Sequence, residues 1–191
     1  RDVALAAAGL IDLRIGGQPV YPYQPDAIWE ALAVTDERDF TYPASHGADL
    51  YRRSLYTFWR RTVSPANMFD TANRQTCTVR ASRTSTPLHA LTTLNDPTWV
   101  EAARVLAARA MRAATDPEGR LTAAFRRVLG RAPTRDDLAA LRRAYDRQLS
   151  IYAADAEAAR AVVRVGESPA DESLPLAEHA ALSATCLAIL N

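Results

Sequence analysis

Thr86-Pro87 and Asp96-Pro97 each place a side-chain oxygen directly before a proline, and each opens a long apolar-rich run without glycine. The oxygen can satisfy an amide of a first helical turn, and a proline at the first helical position has no N–H to lose. The runs they open are LHALTTLN and TWVEAARVLAARAMR; in the second, Trp99, Ala103, Leu106 and Ala110 share one stripe. Arg120 to Leu129 repeats the pattern with Leu121, Ala124, Phe125, Val128 and Leu129, closed by Gly130. Thr134 with Asp137 makes a capping-box-like start, and Leu138, Leu141, Tyr145, Leu149 and Tyr152 form the inward face that follows. Asp155 to Val165 reads as a short helix ended by Gly166, then comes the polar GESPADES loop, and Pro175 to Leu190 closes the chain as an alanine-rich helix. A chain punctuated in this way is committed to helices over its second half.

The first half obeys other rules. Arg1 to about Leu10 reads as a helix end stopped by Gly9, and Pro19, Pro22 and Pro25 exclude regular helix from the connector after it. Asp26 to Ala33 can form a short helix, and Thr35 to Asp49 is a polar loop. The run RRSLYTFWRRT fits a helical face through Leu55, Phe58 and Trp59, but its aromatic and β-branched content favours a short strand. Gln75 to Ala81 alternates in the same manner and could pair with it. The fold expected is mainly α: an irregular multi-helix domain, loop-rich in its N-terminal half, with at most one short two-stranded β element. Residues 1–191 are read as a single domain.

Composition narrows the function. A chain of 191 residues with a formal net charge of +1 is not a general polyanion binder, so nucleic acid is not an expected partner. All 23 basic residues are arginine, which removes lysine nucleophiles and Schiff bases and leaves planar forks suited to carboxylate, sulfate or phosphate. Cys77 and Cys186 lie far apart and outside any C-x-x-C, so no zinc or haem-attachment pattern is present; they read as buried thiols, with a long-range disulfide as the alternative. His46, His89 and His179 show no metal-ligand spacing. No cofactor or metal is therefore expected, and no apolar run of ~18 residues is present to insert in a membrane. The chain starts without Met and stops within the helix-like LAILN, as a segment of something longer would.

Arginine is the sharpest functional signal. Arg52, Arg53, Arg60, Arg61, Arg74, Arg80 and Arg83 concentrate among hydroxyls and aromatics, and between Thr76 and Leu94 there is no acid at all. Arg80, Arg83, Thr84, Ser85 and Thr86, with His89 on the helix that follows and Tyr56 and Trp59 upstream, form the candidate ligand site. Its donors favour an anionic oxygen group, because each offers N–H or O–H and none brings competing negative charge. The plainer alternative is that the arginines tie irregular loops to carbonyls and acids. No catalytic residue is assigned; Asp70, His89 and Asp96 are the groups an enzyme would use, with helix capping the preferred role for Asp96.

YRRSLYTFWRRT, FD, CTVR, RTSTPLHAL, LNDP with EAAR, AFRRVLGRAPT, VGESP and the terminal LAILN occur in an order and spacing that resemble one family. It is the planctomycete cytochrome-associated domain, domain of unknown function 1553. The resemblance implies the C-terminal part of a large multidomain protein exported to the periplasm or cell envelope. There the partners would be an upstream c-type cytochrome domain and other domains of the same polypeptide. The C-x-x-C-H haem element is not in this sequence, and the family supplies no catalytic residues. Two readings stand: a noncatalytic binding or structural module recognising an anionic glycan, and part of an envelope polysaccharide-processing enzyme.

Overall fold

The computed structural model describes residues 1–25, 42–59 and 86–191. The expected helix from Asp26 to Ala33 and the expected strand from Gln75 to Ala81 lie outside them. The α-helices of the described residues are α1 (Asp2–Ala8), α2 (Pro87–Asn95), α3 (Pro97–Ala113), α4 (Pro117–Leu129), α5 (Arg135–Ala154), α6 (Ala156–Val163) and α7 (Leu176–Leu190). The chain is mainly helical, and its loop-rich part is the N-terminal half.

Helix starts follow the local chemistry. The Thr86 hydroxyl accepts from the His89 amide at 3.1 Å, and the Asp96 carboxylate accepts from the Thr98 amide at 2.9 Å. Thr134 and Asp137 complete a reciprocal capping box, and Asp155 accepts from the amides of Glu157 and Ala158. Helix α4 starts earlier than its apolar pattern suggested, because Asp116-Pro117 uses the same Asp-Pro start, with Asp116 accepting from the Gly119 amide at 2.8 Å. At the other end of α1, Gly9 takes φ 71 and the Leu10 amide returns to the Leu5 carbonyl at 2.8 Å. A Cβ at Gly9 would also collide with the Arg109 guanidinium, which donates to the Ala8 carbonyl.

The core forms where α3 and α7 cross. Ala102, Ala103, Leu106, Ala107 and Ala110 of α3 meet Ala181, Leu182 and Cys186 of α7, and all of them are buried. Small residues on both helices let the backbones approach closely. Around that pair α1 and α4 pack on α3, while α5 and α6 pack on α7. Phe125 and Tyr145 are buried; Leu141 is partly buried against the same cluster. Leu129, expected on the inner face, is instead 50% exposed, because it occupies the last turn of α4 beside Gly130. Cys186 is an unbonded thiol, and complete burial pushes its pKa up.

The expected strand after Tyr51 is not formed in its described residues. Gly47–Tyr51 and Ser54–Tyr56 are short 3₁₀ turns, and pairing among the described residues is limited to two isolated parallel bridges, Asp12 with Arg52 and Val20 with Thr57. The reason is tertiary. The Asp2 carboxylate accepts from both the amide and the hydroxyl of Ser54, and the Arg1 guanidinium donates to the carbonyls of Leu50 and Arg52. These anchors from the first helical turn hold the chain in turns where β propensity alone favoured extension. No described helix is long and apolar enough to cross a membrane.

Candidate functional site

The Val20 amide donates to the Tyr56 carbonyl and the Phe58 amide to the Val20 carbonyl, each at 2.8 Å. Tyr21 stacks on Phe58 with ring centroids 4.8 Å apart, and Tyr42 meets Tyr21 edge-on at 5.5 Å. This aromatic layer holds residues 55–59 against residues 17–20. Between them runs a groove of about 290 Å³ lined by Gly17, Pro19 and the consecutive residues Leu55, Tyr56, Thr57, Phe58 and Trp59.

Behind the groove wall lies Arg52, 4% exposed. Its guanidinium donates to the carbonyls of Arg14 and Gly16 and sits 4.0 Å over the Tyr56 ring, whose hydroxyl accepts from the Gly16 amide. A Cβ at Gly17 would come within 3.0 Å of Arg52 Nη1, and Gly17 has φ 95, so this close turn calls for glycine. Arg52 therefore acts as a cross-link, binding carbonyls and a ring rather than a carboxylate.

A second polar centre is fully enclosed. Glu101 (0% exposed) and Arg104 (1%) stand one turn apart on α3, with Arg104 Nη2 3.7 Å from Glu101 Oε1. Oε1 accepts from the Tyr51 hydroxyl at 2.8 Å and the Ser168 amide at 2.6 Å, and Oε2 from the Tyr23 hydroxyl at 3.3 Å. Arg104 donates to the carbonyls of Val165, Ser168 and Pro169 and to the Ser168 hydroxyl. Gly166, at φ 86, packs so tightly that a Cβ would overlap the Glu101 carboxylate. The His179 ring donates from Nε2 to the Arg104 carbonyl at 3.1 Å, and burial lowers its pKa. Burial, reinforced by Glu101, raises the pKa of Tyr23 and Tyr51. At the rim, Glu167 accepts from the Gly47 amide at 2.7 Å and pairs with His46 at 2.5 Å; the Gly47 amide chiefly holds its pKa low. Every charged atom of the Glu101–Arg104 pair faces a protein partner, so its chemistry is that of a clasp joining α3, the 165–169 loop and the 47–51 turn.

Of the residues expected at a site, Tyr56 and Trp59 line the groove. Thr86 and His89 stand at the start of α2 and are not among its described lining; Thr86 is the cap and His89 is half-buried. Arg80, Arg83, Thr84, Ser85 and the candidate acid Asp70 lie outside the described residues. Asp96 caps α3, as preferred from sequence. Among the described residues no group of three or more His, Cys, Asp or Glu is arranged to hold a metal ion. Sequence reasoning missed Thr57 as a groove residue and the Glu101–Arg104 clasp altogether. The available signal for the clasp was an acid and a base one turn apart on α3, amid its alanine-rich apolar positions.

The model of the family described as PSD1, Protein of unknown function (DUF1553), matches residues 1–145. No curated protein and no solved structure matches the chain.

Proposed function

The chain belongs to the DUF1553 family, a family of unknown function, and from that premise we propose a noncatalytic binding module whose ligand is an anionic glycan. The observation that carries this reading is the groove of consecutive Tyr56, Thr57, Phe58 and Trp59, followed in the chain directly by Arg60 and Arg61. Aromatic rings offer apolar faces to the C–H faces of sugars, and arginine forks suit carboxylate or sulfate. Arg80 and Arg83, in a stretch without acids, extend the same chemistry along the sequence. The wider setting belongs to the same proposal: one domain, the C-terminal part of a larger exported planctomycete protein of the cell envelope, with a c-type cytochrome domain upstream.

Thermal melts with uronic, sulfated and neutral oligosaccharides test the reading. Acidic oligosaccharides should raise the melting temperature, and the rise should shrink as salt screens the charges. Trp59→Ala should abolish the rise. Arg83→Lys should weaken it, since lysine keeps the charge but loses the fork. No rise with any oligosaccharide would overturn the proposal.

A further inference from the structure

Thr57 sits in the groove lining and is 8% exposed, yet its hydroxyl oxygen is buried with no hydrogen-bond partner within the protein. Arg52, directly behind Gly17 and Tyr56, leaves its Nε–H unmatched as well. Protein interiors rarely tolerate such atoms, because each forfeits its water without gaining a replacement. Here two of them adjoin one groove. The Thr57 backbone is fixed: its amide donates to the Ser54 carbonyl at 3.1 Å, and the residue bridges to Val20. One χ1 step in the right sense brings the oxygen to the position the methyl now holds and carries the methyl to that of the hydrogen, with the backbone unmoved.

We propose that Thr57 is the polar anchor of this groove, exchanging a hydrogen bond with a ring hydroxyl of a sugar that lies along Tyr56. This rests on the reading of the groove as a glycan-binding surface and adds the residue that orients the ring. A threonine hydroxyl both donates and accepts, as a sugar hydroxyl does, so the pair satisfy each other in a way that a carboxylate alone would not. The sugar hydroxyl then supplies the partner that the protein itself does not give Thr57.

Thr57→Val tests this, because valine keeps the shape and loses only the oxygen. Without ligand its melting temperature should equal or exceed that of the wild type, since an unmet buried group is gone. Its affinity for a uronic oligosaccharide, measured by calorimetry, should fall roughly tenfold, while Thr57→Ser should stay near the wild type. A lower melting temperature for Thr57→Val would make the hydroxyl a structural group and overturn the proposal. So would wild-type affinity in Thr57→Val, an outcome that leaves the groove reading standing. If the wild type itself binds none of the oligosaccharides, the groove reading fails and the anchor with it.

Discussion

Glu101 is the side chain with most at stake in this protein, being a carboxylate without solvent whose neighbours are two tyrosine hydroxyls, an amide and a guanidinium. A buried ion pair adds little net stability compared with an apolar isostere, but removing one partner leaves the other charged and unmatched. Glu101→Ala should therefore cost about 3–5 kcal/mol in denaturant unfolding. Gly166→Ala attacks the same centre from the loop, through both a left-handed backbone and a direct overlap with the carboxylate. It should destabilise by at least 1–3 kcal/mol, as strained backbone positions do. If either variant melts like the wild type, the clasp is not holding the 165–169 loop.

Among the elements, α4 and α5 show how helix ends and helix faces contribute differently. Thr134 and Asp137 satisfy each other's amides at an exposed helix start, so Thr134→Ala should cost about 1 kcal/mol, a capping loss without a packing loss. Phe125 is buried near the C-terminal end of α4, with the Arg131 guanidinium 4.8 Å from its ring centroid. Phe125→Ala should cost about 3–5 kcal/mol. Leu129→Ala, in the last turn of the same helix, should stay within about 0.5 kcal/mol, as exposed substitutions do. Comparing the two by urea unfolding checks the orientation of α4; equal losses would contradict it.

Taken together, the titrating groups define a stability window in pH. Burial depresses the His179 pKa below its ordinary 6.5, so on acidification the unfolded chain takes up a proton that the native state refuses. Stability should decline as pH falls below about 6.5 and continue down until the native imidazole also protonates. The lowered carboxylates Asp12, Asp137, Glu167 and Asp171 add a further loss at lower pH, where they are protonated. At the alkaline end, Tyr23, Tyr42 and Tyr51 have raised values, so their contribution is full below the ordinary 10.0 and is lost above it. Thermal melts from pH 4 to 11 should show a plateau between roughly pH 7 and 9. His179→Gln should flatten the limb between about pH 5 and 7; an unchanged limb would show that another group governs it.

The helical half was legible from local chemistry. Thr86, Asp96, Thr134 and Asp155 mark helix starts because a capping oxygen and its amide partner lie two or three residues apart. The stripe through Trp99, Leu106 and Ala110 follows from the period of the helix itself. Interactions of that range are written in neighbouring letters. The turn at Ser54 was not, because its partner is Asp2, 52 residues away, and a distant carboxylate outweighed the local preference for a strand. The clasp of Glu101 and Arg104 with residues 165–169 is of the same kind, as is the groove between residues 17–20 and 55–59. Burial turned charges and a hydroxyl that look ordinary in sequence into enclosed groups, and burial depends on which distant segments close over them.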